Sequence, residues 1–176
     1  MHTTRYPGGM RSISEHRNST RRVATSMEDT EPDPYEDHYR KLEHMYLSAP
    51  LNDFYRPTIR VDRARSEITV PVNEHLFHAA GAVHGSVYFK MLDDAAWFAV
   101  NSLVTDEFVL TTTFNVYLTR PVSSGLLRSV GQVVNEGRTR WIAEAVVYDS
   151  EGREVGRGSG SFVKSGRALG PDIGYE

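Results

Sequence analysis

Two histidines, two glycines and an aspartate lie within sixteen residues, from His78 to Asp93 (HAAGAVHGSVYFKMLD). The first part is typical of a loop, and the part from Gly85 onward is typical of a largely apolar helix. Backbone N–H groups at a helix start stabilise negative charge. A carboxylate on an apolar helix face is costly unless it has a partner or a chemical role. The pattern therefore predicts a site where a carbonyl group is polarised at a helix N-terminus and an acid acts on it.

The two neighbouring acids on this helix occupy different faces. On a helical wheel, Lys90 and Asp94 share a narrow polar wedge as an i,i+4 pair, which predicts a solvated or interface charge for Asp94. Asp93 lies outside that wedge, between Phe89 and Trp97. If burial raises its pKa, Asp93 becomes a general base or nucleophile. The alternative is an acid satisfied by a buried hydrogen bond.

The helix start offers a second set of candidates, His84-Gly85-Ser86. Gly85 allows a ligand to approach the backbone, and its N–H is an orphan donor of the first helical turn. Ser86 on its own is consistent with a simple helix cap. The group gains significance from Asp93, nine residues after His84.

Three histidines cluster near Asp93, namely His75, His78 and His84. Their spacing matches no common zinc signature, and the segment is typical of a loop instead of a ligand-bearing helix. We therefore expect no bound metal.

The last strands contain basic and small residues that would suit a phosphate-bearing ligand. Arg138 and Arg140 follow a turn glycine, and Gly156, Gly158 and Gly160 interrupt the final strand. Glycines within a strand indicate bulges or close backbone approach, and arginine suits phosphate. Ordinary surface arginines on a sheet edge are the alternative.

The positioning elements follow from hydrophobic periodicity. The stretch 85–103 is the one long helix candidate and is apolar over most of its circumference, so other structure must wrap it. A short amphipathic helix is predicted at 37–47, and two strand pieces at 59–72. From Phe108 the pattern is β throughout, and the short connections predict an antiparallel meander. The expected fold class is α+β, with a five- or six-stranded antiparallel sheet curled around one long central helix.

Composition narrows the function further. The 20 basic and 23 acidic residues nearly balance, so no global field favours nucleic acid or a membrane surface. The chain has no cysteine, which excludes disulfides, thiolate nucleophiles and cysteine metal sites. No apolar run is long enough to span a bilayer. We expect a soluble, cytoplasmic protein.

The amino-terminal stretch differs from the rest of the chain. Residues 1–35 are rich in arginine and then in acidic residues and proline, which predicts a disordered tail. The tail loosely resembles a transit peptide, but its sequence is more consistent with a tail that has no targeting role, or with a true start at Met27. We expect a short helix and linker at 36–56, the main domain at 57–166 and a C-terminal tail at 167–176.

Residues 59–164 resemble the hotdog-fold acyl-CoA thioesterases of the phenylacetate-pathway (PaaI-type) and 4-hydroxybenzoyl-CoA thioesterase-like branch. That family has an Asn or Gln, then a Gly, then His-Gly-Gly, and an acid nine residues after the His. The corresponding residues here are His78, Gly81, His84-Gly85-Ser86 and Asp93. The segments LTTTFNVYLTRPV and NEGRTRWIAEAVVYDSEGREVGRGSGSFV resemble the family's strand ending in Arg-Pro and its closing meander.

The resemblance implies roles for these residues. Gly85 N–H would bind the thioester carbonyl oxygen and stabilise the oxyanion, and His84 would orient the loop. Asp93, reached from a partner subunit, would attack the thioester or activate water. Thr111, eighteen residues after Asp93, would hold the water or substrate. The residues implied for coenzyme A binding are Arg138, Arg140, Gly158 and Ser159.

The chain departs from the family pattern at two positions, and the departures leave three functions open. His78 replaces the Asn or Gln and can donate one hydrogen bond to the carbonyl, and Ser86 replaces the second Gly. The first expectation is an acyl-CoA thioesterase that needs no cofactor, acting as a homodimer or homotetramer because a lone protomer leaves a sheet edge open. The alternatives are a non-catalytic acyl-CoA or acyl-carrier binding protein, or an enoyl-thioester hydratase in which His78 moves a proton.

Overall fold

The computed structural model describes residues 33–176. These residues form three α-helices, six β-strands and two short 3-10 turns. In chain order these are α1 (Glu36–Ser48), α2 (Pro50–Tyr55), β1 (Thr58–Asp62), β2 (Arg65–Pro71), a 3-10 turn (Glu74–Leu76), α3 (Gly85–Asn101), β3 (Glu107–Leu118), β4 (Leu126–Glu136), β5 (Trp141–Tyr148), β6 (Glu154–Ala168) and a second 3-10 turn (Pro171–Ile173).

The helix α3 is wrapped by the sheet, as its apolar circumference predicts. Eleven of its seventeen residues are buried. Close packing depends on Gly131 of β4, because a Cβ there would lie 2.1 Å from the backbone oxygen of Ala95 in α3. The hydroxyl of Ser66 on β2 donates to that same oxygen at 2.7 Å. The expected fold class, an antiparallel sheet around a central helix, is confirmed.

The sheet is antiparallel throughout, with strand order β1-β2-β4-β5-β6-β3. The prediction of a simple meander is therefore wrong for β3, which pairs with β6 at the far edge of the sheet instead of with β4. The connection 119–125 is not a hairpin turn. Its Val122 is buried and accepts a hydrogen bond from Val83 N at 2.8 Å, and Gly125 O accepts one from Val72 N at 2.9 Å. These contacts carry the chain across the end of the sheet.

The two edges of the sheet differ in whether a helix covers them. On β1, the outward backbone groups of Val61 are satisfied by α1, since its N–H donates to Glu43 at 2.7 Å and its carbonyl accepts from Arg40 at 2.6 Å. The helix α1 packs here through the face predicted from the sequence, and Tyr39 and Leu42 are fully enclosed. The opposite edge, β3, is twelve residues long and has no such cover among residues 33–176.

Near the carboxyl end of the chain, Gly174 and Tyr175 contact α1. The strand β6 continues to Ala168, two residues beyond the expected boundary at 166. The hydroxyl of Tyr175 lies 2.8 Å from Nδ1 of His38, whose Nε2 lies 2.9 Å from the carbonyl of Asn101. Because a carbonyl only accepts, Nε2 carries the ring proton and Tyr175 donates to Nδ1.

The expectations for the amino-terminal tail, including the start at Met27, fall almost wholly outside the described residues. Of the tail, residues 33–35 are described, and they form the turn that leads into α1. Within residues 33–176, no helix is both long enough and apolar enough to cross a membrane.

Candidate active site

The start of α3 is capped by a histidine. The ring nitrogen Nδ1 of His84 accepts from the backbone N–H of Ser86 at 3.1 Å and lies 2.8 Å from its hydroxyl. The cap is therefore His84, and Ser86 is the residue that donates to it. Within residues 33–176, the N–H of Gly85, the first residue of the helix, has no hydrogen-bond acceptor, as is typical of the first helical turn.

His78 sits beside this helix start in a turn closed by Gly81. The left-handed conformation of Gly81, with φ of 78°, suits glycine. Nδ1 of His78 accepts from the backbone N–H of Ala80 at 3.0 Å, so the ring proton of the neutral imidazole is on Nε2. The rings of His78 and His84 are 6.5 Å apart. His78 therefore offers a ring N–H donor, as an amide side chain would.

Asp93 lies on α3, two turns after Gly85, and meets the edge strand. The hydroxyl of Thr111 on β3 donates to Oδ1 of Asp93 at 2.9 Å. Burial raises the pKa of Asp93 to about 6, opposed by the Thr111 hydrogen bond and by Lys90 and assisted by the neighbouring carboxylate of Asp94. A carboxyl with this pKa is largely ionised at neutral pH and is more basic than an ordinary aspartate.

Asp94 forms the predicted ion pair with Lys90, but the pair is half-buried instead of solvated. The hydroxyl of Tyr46 on α1 donates to Asp94 at 2.8 Å, and the Lys90 ammonium donates to that hydroxyl at 3.2 Å. Sequence reasoning missed Tyr46, because 48 residues separate it from Asp94 and no local pattern links them.

The carboxyl of Asp93 faces a cavity of about 410 Å³ between α3, β3 and the α1–α2 corner. Its lining is Met45, Tyr46, Ala49, Leu51, Asn52, Lys90, Asp93, Asp94, Trp97, Phe98, Phe108, Val109, Leu110, Thr111 and Ile173. The indole N–H of Trp97 donates to the carbonyl of Val109 at 2.9 Å and fixes β3 against α3 here. We refer to this space as the Asp93 cavity.

The carbonyl-binding candidates line a different cavity. His78 and Gly85 face a space of about 270 Å³ together with Leu118 and Arg120. Eight residues of helix, about 12 Å at 1.5 Å per residue, separate Gly85 from Asp93. Within one protomer the structure therefore brings Asp93 to Thr111, and His78 to Gly85 and His84, but it does not bring the two groups together.

The residues expected to contact coenzyme A are spread along the sheet. Arg138 and Arg140 are exposed in the β4–β5 turn. Ser159 on β6 lies opposite Glu144 on β5. Four residues, about 14 Å of extended chain, separate Arg140 from Glu144. The arginines and Ser159 are therefore not adjacent.

The glycines of β6 have a packing role. A Cβ at Gly158 would lie 2.5 Å from the ring of Phe114 on β3, and one at Gly160 would lie 2.3 Å from the same ring. The close approach predicted for these glycines is thus made by an aromatic side chain of the same protomer. Among residues 33–176, no three His, Asp or Glu side chains are grouped so that they could hold a metal ion.

Comparison with known proteins agrees with this architecture. Residues 80–156 match the family model described as the Thioesterase superfamily. The E. coli PaaI protein from the phenylacetic acid degradation operon superposes with a TM-score of 0.71 at 16% identity, covering 78% of this chain and all of that one. A thioesterase family protein from Silicibacter pomeroyi gives 0.66 at 25% identity, covering 74% and 96%.

A curated relative from Saccharolobus solfataricus, named "Putative esterase SSO1253", is 23% identical over 104 residues, which are 59% of this chain and 69% of the relative. The fold and the family match together confirm the resemblance found in the sequence. The chain has the hotdog fold, and its residues 80–156 are similar to the thioesterase superfamily.

Proposed function

We propose that this protein hydrolyses acyl thioesters of coenzyme A to a carboxylic acid and free coenzyme A. The observation that supports this most strongly is Asp93, a half-buried carboxyl with a pKa raised by burial to about 6, bonded to Thr111 and facing the Asp93 cavity. At neutral pH such a carboxylate can accept a proton from a water molecule or attack the thioester directly.

The carbonyl of the thioester would be bound at the start of α3. The Gly85 N–H is an orphan helix donor, and His78 presents Nε2–H nearby. As hydroxide adds to the carbonyl carbon, Asp93 takes the proton from water and the new oxyanion is held by these donors. Collapse of the intermediate expels the coenzyme A thiolate, which is then protonated.

The separation of about 12 Å between Gly85 and Asp93 is bridged by a second copy of the chain. Among residues 33–176 nothing covers the edge strand β3, which is twelve residues long and has exposed apolar side chains, among them Tyr117 and Leu118. Phe89 of α3 is exposed beside it. The other edge is covered by α1. Pairing of β3 with its copy would continue the sheet and bring Asp93 of one protomer to Gly85 of the other.

The coenzyme A moiety is long enough to use separated contacts. The exposed guanidinium groups of Arg138 and Arg140 are proposed for its phosphates. Ser159 would contact a different part of the same molecule. Because Gly158 makes room for Phe114, its contribution to coenzyme A binding would be through the backbone.

The test is release of free thiol from short, long and aromatic acyl-CoA esters by the wild type, by Asp93→Asn and by the exposed control Asp53→Asn. We expect release by the wild type and by Asp53→Asn, and its loss in Asp93→Asn with ester binding retained. Binding without release by the wild type would indicate the non-catalytic alternative. Consumption of enoyl-CoA without free thiol would indicate a hydratase.

A further inference from the structure

The segment Leu169–Glu176, which we call the strap, crosses from the end of β6 to α1. It leaves the sheet where the N–H of Leu169 donates at 3.2 Å to the carbonyl of Asp106, the residue before β3. It then makes the 3-10 turn Pro171–Ile173 and reaches α1. The segment that matches the family model, residues 80–156, includes neither the strap nor α1. The strap is therefore a feature of this chain outside that segment.

One residue of the strap forms part of the wall of the Asp93 cavity. Ile173 lines this cavity together with Met45 of α1 and Phe108 of β3. Because the strap runs from the β3 side of the sheet to α1, Ile173 fills the gap between these two elements. If the strap lifted, the cavity would be open at this gap.

The helix α1 holds the strap along one side. Nδ1 of His44 lies 2.9 Å from the carbonyl of Gly174, and a carbonyl only accepts, so His44 donates this bond. The hydroxyl of Tyr175 donates to Nδ1 of His38 at 2.8 Å, and the ammonium of Lys41 lies 5.7 Å from the centre of the Tyr175 ring. The three α1 residues are spaced three apart, which places them on the same side of the helix.

His38 is a preformed acceptor for the strap. The residue is 6% exposed, and its Nε2–H donates at 2.9 Å to the carbonyl of Asn101, the last residue of α3. Because this bond does not involve the strap, it fixes the ring and leaves the lone pair of Nδ1 for Tyr175. Burial lowers the pKa of His38, which keeps the ring neutral and Nδ1 an acceptor at neutral pH.

The strap itself is shallowly packed. None of its residues is fully buried, and the ion pair that Asp172 makes with Arg167 is exposed. Segments with few buried contacts open locally at a low cost in free energy, while the rest of the fold stays intact. The strap can therefore lift from the cavity by giving up its few bonds to α1.

We propose that the strap is a lid on the Asp93 cavity, held shut by His38 and His44, and that it lifts when an acyl group too long for the closed cavity is bound. The proposal deepens the function proposed above and rests on it only for the enzymatic measurement. With the strap closed, Ile173 stops the acyl chain inside the cavity. With the strap lifted, the chain passes between α1 and β3.

The test is a reversible covalent lock between the strap and α1. A Cβ at Gly174 would lie 3.6 Å from the Cβ of Ser48 in α1, a separation that a disulfide spans. The chain has no cysteine, so Ser48→Cys/Gly174→Cys would form one defined disulfide. Because a cysteine at position 174 must adopt a φ of 80°, mass spectrometry first confirms that the bond is complete. The same protein is then assayed oxidised and reduced.

The quantity measured is kcat/KM for butyryl-, octanoyl- and hexadecanoyl-CoA, the last below its micelle concentration. Loss of thioester absorbance is followed, because a reductant would mask the released thiol. Oxidation should leave butyryl-CoA hydrolysis unchanged and lower kcat/KM for hexadecanoyl-CoA about tenfold, and reduction should restore it. Ser48→Cys alone, carried through the same treatment, is the control and should keep one ratio throughout.

A second variant loosens the strap instead of locking it. Tyr175→Phe removes the hydroxyl that donates to His38 and keeps the ring. The ratio of kcat/KM for hexadecanoyl-CoA to that for butyryl-CoA should rise roughly fivefold, as for the loss of one hydrogen bond that holds the closed form. Tyr35→Phe, which removes the hydroxyl of an exposed tyrosine before α1, is the matched control and should keep the wild-type ratio.

Failure of the lid is distinguishable from failure of the proposed function. A locked protein that keeps the ratio of its reduced form would show that the strap does not need to lift, and an unchanged ratio in Tyr175→Phe would show that this bond does not hold it shut. If the wild type hydrolyses none of the esters, the function fails, and calorimetric Kd values for the same esters then test the lid directly. A Kd for hexadecanoyl-CoA that oxidation does not raise would reject it as well.

Discussion

The hydroxyl of Thr111 on β3 donates a hydrogen bond to Oδ1 of Asp93 on α3 across 2.9 Å. This bond joins the open edge strand to the central helix at the carboxyl on which the proposed chemistry depends. It stabilises the ionised form of Asp93, whereas burial stabilises the protonated form. The pKa of about 6 is the balance of these effects with the smaller influences of Asp94 and Lys90.

Replacing Thr111 by valine removes the donor and keeps the shape of the side chain. Activity that needs ionised Asp93 should rise with pH through about 6 in the wild type. In Thr111→Val the midpoint should move to higher pH, with a larger loss of kcat/KM at pH 6 than at pH 8. The measurement is the pH profile of kcat/KM.

Thr112→Val is the matched control for that profile. The neighbouring hydroxyl of Thr112 donates to the backbone carbonyl of Ser161 at 2.9 Å instead of to Asp93. Its loss should leave the midpoint in place. An unmoved midpoint in Thr111→Val would show that this bond does not set the ionisation of Asp93.

Asp93→Asn should stabilise the folded protein at neutral pH. Because the folded pKa is raised above the unfolded value of 3.8, ionisation of Asp93 disfavours the folded state progressively as pH rises from about 4 through about 6. After a discount for partial exposure, removing the charge should gain about 1–2 kcal/mol at pH 7.5 and nearly nothing at pH 4. Urea unfolding of both proteins at the two pH values measures this. An equal effect at both would point to packing instead of charge.

Gly131→Ala should separate the helix from the sheet. A Cβ at Gly131 would lie 2.1 Å from the carbonyl oxygen of Ala95 and 2.2 Å from its carbon, and neither backbone atom can yield without moving α3. We expect a loss of roughly 2–4 kcal/mol in the free energy of unfolding, at or above the usual range for overpacking. Gln132→Ala, exposed on the same strand, should change it little. A fully stable Gly131→Ala protein would mean that α3 has room to shift.

Hydrophobic periodicity in the sequence predicted the helices and strands well, but it did not predict the order of the strands in the sheet. The helix was expected over 85–103 and ends at Asn101. At this end the Asn101 side chain donates to the carbonyl of Val104 and accepts from the N–H of Val109, and these bonds fix the turn that follows the helix. The strands β2 and β5 and the first half of β4 alternate between buried and more exposed residues, as their sequences predict. The position of β3 beside β6 was not predictable, since proline and glycine in the connection suit a hairpin and a crossover equally.

In the candidate site, too, local patterns were predictable and contacts between distant segments were not. Asp93 was recognisable as a carboxylate on an apolar helix face. Its hydrogen bond from Thr111 was not predicted, because the family resemblance implied that Thr111 holds the water or the substrate. The contact of Tyr46 with Asp94 depends on how α1 packs on α3. Contacts between residues so far apart in sequence leave no periodic pattern in either segment.

Two inactive variants should restore activity when they share a dimer. Gly85→Pro removes the backbone N–H at the first helical position, where proline is tolerated, and the extended His84 before it suits a following proline. Asp93→Asn removes the carboxylate. If each site takes Gly85 from one protomer and Asp93 from the other, a mixed dimer has one intact site and one doubly defective site. Co-expression should then give about a quarter of wild-type thiol release, since random pairing makes about half of the dimers mixed. Each variant expressed alone is the control. If both groups acted within one chain, every site in the mixture would carry a defect, and the co-expressed protein would be as inactive as either variant.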